Sequence, residues 1–165
     1  MEAPLSSPSV YKPKSALKTI IGAGLLAGIL DIIVPMVMYA TSTGKSPLNV
    51  LRFIASGVFG SQAFGGGVPM AIWGLIFHFF IAYAFTVVFF FAYPKIRSIS
   101  SGKVLTGVGY GVFVWLVMNL IVLPLANTPQ ATFNLWQAIK GILILMMAFG
   151  LPLSLIVHKY YEQKQ

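Results

Sequence analysis

The sequence has no cysteine, and only three of its 165 residues are acidic. The first absence excludes disulfides, thiolate metal sites and thiol nucleophiles, and leaves the redox compartment unreadable. Charge of either sign is scarce. Asp, Glu, Lys and Arg make up 8% of the chain, against 58% hydrophobic residues. A soluble domain carries about 25% charged and about 45–50% apolar residues, so an ordinary soluble domain is excluded. Disorder is excluded as well, because it needs low hydrophobicity. Glu-x-x-His and His-x-x-x-His spacings are also missing, so a catalytic metal site lacks ligands. Neither a metal nor a cofactor is expected. Gly65-Gly66-Gly67 is followed by no Lys-Ser/Thr pair and is not a phosphate loop. Ser56-Gly57 has no base nearby, which argues against a serine hydrolase.

What the chain does have is long apolar runs. A membrane-spanning helix takes about 20 apolar residues. Such runs lie at about 19–40, 69–93, 104–125 and 138–157. Together they predict an all-α membrane protein with four transmembrane helices in one domain, residues 19–158. Residues 1–18 and 159–165 are expected to be cytoplasmic tails. The first run has the outline of a signal peptide, but it is longer than an h-region and Met38 suits a cleavage site poorly. A retained helix is therefore expected.

The formal charge of +8 suggests nucleic acid only until the cations are placed. They sit between the apolar runs, as topology signals do, and no nucleic-acid partner is expected. With a cytoplasmic N-terminus, Lys12, Lys14, Lys18, Lys95, Arg97, Lys103, Lys159 and Lys164 fall inside. Lys45, Arg52 and Lys140 fall outside. This positive-inside bias places both termini in the cytoplasm. Tyr93, Tyr160 and Tyr161 mark one interface, and Tyr39, Trp73 and Trp136 the other.

Between the first two runs, Ser46-Pro47 is a helix-start signal. An amphipathic helix over about 47–59 is expected to lie in the interface, with Leu48, Leu51, Ala55 and Phe59 on one face and Asn49, Arg52 and Ser56 on the other. The glycine-rich stretch 57–68 reads either as a re-entrant segment or as an interfacial loop. Thr128-Pro129 echoes Ser46-Pro47, which would fit a duplicated helical hairpin.

Ionisable residues inside a span are costly and mark candidate sites. Asp31 is the only acid between Glu2 and Glu162. At 1.5 Å per helical residue, Asp31 and His78 each lie about 14 Å from the outer end of their span, and Asn119 about 9 Å. The candidate site is thus an intramembrane Asp31–His78–Asn119 cluster, with Arg52, Tyr110 and Ser56 as supporting candidates. Gly24 and Gly28 share a face with Asp31, Gly74 with His78, and Gly107 and Gly111 with Asn119. Small residues at this spacing let helices approach closely. Pro35, Pro124 and Pro152 are expected to kink their helices.

Several strings together resemble a group of small bacterial four-helix inner-membrane proteins of the unknown-function kind, with a distant similarity to the YagU-type proteins. They are Gly28-Ile-Leu-Asp31, Pro47 with Ile54-Ala-Ser-Gly57, Gly74-x-x-x-His78-Phe79-x-Ile-Ala82, Gly107-x-x-Tyr110-Gly111, Met118-Asn119 with Pro124-Leu125, and Gly150-Leu-Pro152. The resemblance covers about residues 22–155 and implies a bacterial inner-membrane location. It also implies that Asp31, His78 and Asn119 are typical residues. The group often has a further His in its fourth span, where this chain has Leu145 and Met146. It implies no activity.

Three functional expectations follow. The first is a non-enzymatic accessory or structural membrane protein, with the lipid bilayer as its partner, as a homo-oligomer or in a larger membrane complex. The second is a small transporter or proton-conducting protein using Asp31 and His78. The third is a membrane-embedded enzyme or binder for a lipid or quinone.

Overall fold

A computed structural model describes residues 15–99, 102–129 and 134–163. Most of the N-terminal tail, including Lys12 and Lys14, lies outside the described residues, as do residues 130–133 and Lys164. The described residues are mostly helical and contain no strand. Its elements are α1 (Ala16–Thr43), α2 (Leu48–Phe59), α3 (Gln62–Gly65), α4 (Gly67–Ile99), α5 (Lys103–Leu125) and α6 (Leu135–Glu162). Four of these, α1, α4, α5 and α6, are long and apolar enough to cross a membrane. The architecture is that of a multi-pass helical-bundle membrane protein.

Local chemistry sets the ends of α1. Ser15 caps it by accepting the Lys18 amide, and Gly44 closes it at φ 67°, a left-handed conformation that suits glycine. Leu17, Ile21, Leu25, Ile29, Ile33 and Val37 form an exposed stripe at every fourth residue. The opposite face, with Ala23, Gly24, Ala27 and Gly28, is buried. In water this outer stripe would be costly, whereas hydrocarbon solvates it. The helices also outrun the expected spans. Ala16–Lys18 and Lys159–Glu162, read from sequence as tails, are helical turns.

α2 is packed more tightly than an interfacial helix needs to be. Leu51 and Ala55 are buried, and Leu51 packs with Ile32 of α1 and Ala71 of α4. Gly74 lies against the backbone of Leu51, so no side chain fits at that position. The closest neighbour of Gly74 is therefore α2 rather than another span. Phe59 extends the contact by packing against Trp73 and Phe77, with centroids 6.0 and 5.9 Å away. Beyond α2, Gly60 and Gly67 both have φ 62° and bracket the single turn of α3. The Gly57 carbonyl accepts the Asn127 amide at 3.0 Å, tying this segment to the end of α5. Residues 126–129 form no helix, and residues 130–133, which follow Thr128-Pro129, lie outside the described residues.

Proline acts in two ways. Pro35 and Pro94 lie inside continuous α-helix. Pro124 and Pro152 each follow a π-helical segment, Met118–Val122 in α5 and Leu145–Gly150 in α6. A proline ring clashes with the carbonyl four residues earlier and donates no hydrogen bond. A wider turn just upstream accommodates both effects.

α5 and α6 meet backbone to backbone. A Cβ added to Gly107 would fall 2.8 Å from the Gly150 carbonyl oxygen, and one on Gly111 would fall 2.6 Å from the Met146 Cα. Away from this seam the core is aromatic. Phe89, Phe90, Tyr93, Tyr110, Phe149 and Tyr160 form its centre, toward the end where α1 starts and α6 finishes. That end carries Lys18, Lys95, Arg97, Lys103 and Lys159 and is called the basic end below.

Candidate functional site

Asp31 and His78 border one crevice of about 80 Å³. Ile54 of α2, Phe85 of α4, Val114 and Met118 of α5 and Phe149 of α6 complete most of its wall. Four spans and α2 therefore converge on this point. The wall is otherwise apolar, as a site held inside a bundle requires.

The two polar side chains face it in different states. His78 is buried, and its Nε2 lies 2.9 Å from the Gly28 carbonyl oxygen of α1. A carbonyl only accepts, so Nε2 carries the hydrogen and donates it. The ring thus clips α4 to α1, at the glycine whose missing side chain makes room for Phe79. The Asp31 carboxylate takes no hydrogen bond or ion pair among the described residues. No buried side-chain oxygen among the described residues is left unpartnered, so the oxygens of the half-buried Asp31 keep some exposure. No nitrogen of His78 comes within the 4.0 Å of an ion pair with Asp31.

The remaining sequence candidates are placed elsewhere. The Asn119 Nδ2 donates to the Trp115 carbonyl at 2.9 Å, one turn back on its own helix, and Asn119 does not line the crevice. The Arg52 Nε donates to the Gly67 carbonyl at 3.1 Å and its Nη1 to Asn49 Oδ1 at 2.8 Å, so its guanidinium is engaged away from Asp31. Ser56, assigned from periodicity to the polar face of α2, is fully buried and donates to the Phe53 carbonyl at 2.6 Å. The Tyr110 hydroxyl donates to the Phe85 carbonyl at 2.6 Å, beside the crevice but not in its wall. Gly24, Gly28, Gly107 and Gly111 all sit at close contacts between spans.

A second polar chain escaped the reading of the sequence. At the basic end the Tyr93 hydroxyl and the His158 Nδ1 are 2.7 Å apart, and the His158 Nε2 is 2.9 Å from a Glu162 carboxylate oxygen. A carboxylate accepts from Nε2–H, which leaves Nδ1 to accept from the tyrosine in a neutral ring. The four-residue spacing of His158 and Glu162 was visible as a helix pair. Tyr93 was not, because its place depends on how α4 meets α6. Among the described residues, no three His, Asp or Glu side chains gather as metal ligands.

Comparison with protein-family models, curated proteins and solved structures gives no match. The reading of the site therefore rests on its own geometry.

Proposed function

We propose that the protein is a non-enzymatic accessory or structural component of the bacterial inner membrane, with both termini in the cytoplasm, working as a homo-oligomer or within a larger membrane complex. One pattern carries this reading. Polar side chains inside the spans donate to backbone carbonyls of neighbouring helices. His78 and Tyr83 of α4 reach Gly28 and Ile21 of α1. Tyr110 of α5 reaches Phe85 of α4, Ser154 of α6 reaches Lys103 of α5, and Tyr161 of α6 reaches Phe90 of α4. Bonds of this kind are worth about 0.6 kcal/mol each in a membrane bundle. They stitch helices together and leave few polar groups to line a pathway. The excess of cations at one end supports the orientation, and the resemblance drawn from the sequence supports the compartment.

Asp31 supports a second reading, proton or cation transfer, because it alone has no protein partner at the crevice. Proteoliposomes separate the two. Wild-type vesicles loaded with a pH dye are expected to leak protons no faster than empty vesicles, and purification in mild detergent is expected to give a species larger than a monomer. A proton flux abolished by Asp31→Asn would replace the accessory reading with the transport one.

A further inference from the structure

We propose that the crevice between the start of α1 and the end of α6 binds one anionic phospholipid, with its phosphate held between Lys18 and Lys159. This crevice is the larger of the two cavities described, about 510 Å³, and is separate from the Asp31–His78 crevice. Its wall changes character with depth along the helices. Lys18, Lys159 and Gln163 stand at the end of the bundle. One to two turns further in, Gly22 and Ala23 of α1 face Leu155 and Ile156 of α6. A cationic mouth above an apolar floor is the profile of a phospholipid, whose phosphate sits at the interface and whose chains run inward.

Two further observations fit an anion. Both lysines are exposed and form no ion pair among the described residues, so none of these neutralises either charge. The nearest acid on α6, Glu162, is held by His158 and does not line the crevice. At the mouth the N-terminus of α1 and the C-terminus of α6 carry opposed helix dipoles, so the two lysines set the charge there. Gly22 keeps the floor open, since a Cβ there would meet nothing within 4 Å. Basic pockets between spanning helices attract anionic headgroups in this way.

The test is a titration of the purified full chain in neutral detergent, with bound lipid counted by native mass spectrometry. Phosphatidylglycerol, phosphatidylcholine and inorganic phosphate serve as probes. Phosphatidylglycerol is expected to bind at least about tenfold more tightly than phosphatidylcholine, since two lysines act on the added charge. The double variant Lys18→Gln, Lys159→Gln should lose about that tenfold preference, while Lys45→Gln at the opposite end should keep it. Gly22→Leu should weaken phosphatidylglycerol with both lysines intact, which tests the floor without touching the charge. Equal binding of the two lipids, or a double variant that binds like wild type, overturns the proposal. Inorganic phosphate competing as strongly as phosphatidylglycerol overturns it too, because the site would then take free phosphate without using its floor.

Discussion

The α1–α4 and α5–α6 seams both carry glycines at four-residue spacing, yet they are built differently. Along α1, Gly24 and Gly28 are seats for aromatic rings. A Cβ on Gly24 would come 2.6 Å from the Tyr83 ring, and one on Gly28 would come 2.8 Å from the Phe79 ring. Along α5, Gly107 and Gly111 admit the backbone of α6 itself, with Gly150 returning the contact against the Gly107 carbonyl. The first seam is closed by side chains and clipped by two long-range hydrogen bonds, from His78 and Tyr83. The second has one such bond, from Ser154 to the Lys103 carbonyl at 2.7 Å. A glycine stripe thus announces close approach, but what approaches is decided by the partner helix.

This difference sets an order of sensitivity. Gly107→Leu meets unyielding backbone and is expected to cost about 3 kcal/mol or to prevent assembly, given the usual range for overpacking. Unfolding in detergent followed by circular dichroism measures it. A loss below about 1 kcal/mol would mean that α6 can retreat, which removes the distinction between the seams. Gly24→Ala meets a ring that can turn aside, so about 1 kcal/mol is expected in the same assay. An equal cost for the same alanine substitution made at Gly107 would show the ring seat to be as rigid as the backbone seam. His78→Leu keeps side-chain bulk but loses the bond to Gly28, and a drop of about 0.6 kcal/mol is expected. A much larger drop would make this one bond, rather than ring packing, the main tie between α1 and α4.

The sequence carried the spans well because apolar runs of that length have few other uses. Their ends were less legible. The helices run on past the apolar residues, since a cap such as Ser15 or Gly44 stops a helix where hydropathy alone does not. Depth along the helix brought Asp31 and His78 to one crevice, because consecutive antiparallel helices share a depth scale. It misled for Asn119. There, depth said nothing about the direction of a side chain that bonds to its own helix instead. The burial of Ser56 and the docking of α2 on Gly74 were hidden for a related reason. Periodicity assigns faces relative to one neighbour, and α2 has two, α1 and α4. The Tyr93–His158–Glu162 chain joins residues that are 65 positions apart at its tyrosine–histidine step, and no local pattern encodes that.

The wide turn at Leu145–Gly150 has a consequence for everything after it. An α-helix advances about 100° per residue, and a π turn absorbs one residue that an α-helical path would not need. Wind the same residues at ordinary α-helical pitch instead, and Leu151–Glu162 swings by about 100°. Ser154 then leaves the Lys103 carbonyl, His158 leaves Tyr93, and Lys159 turns away from Lys18. One surplus residue therefore works as an angular key for the last three turns of the chain. It makes the aim of the basic end depend on the pitch at Leu145–Gly150, where Gly150 must also meet the Gly107 backbone.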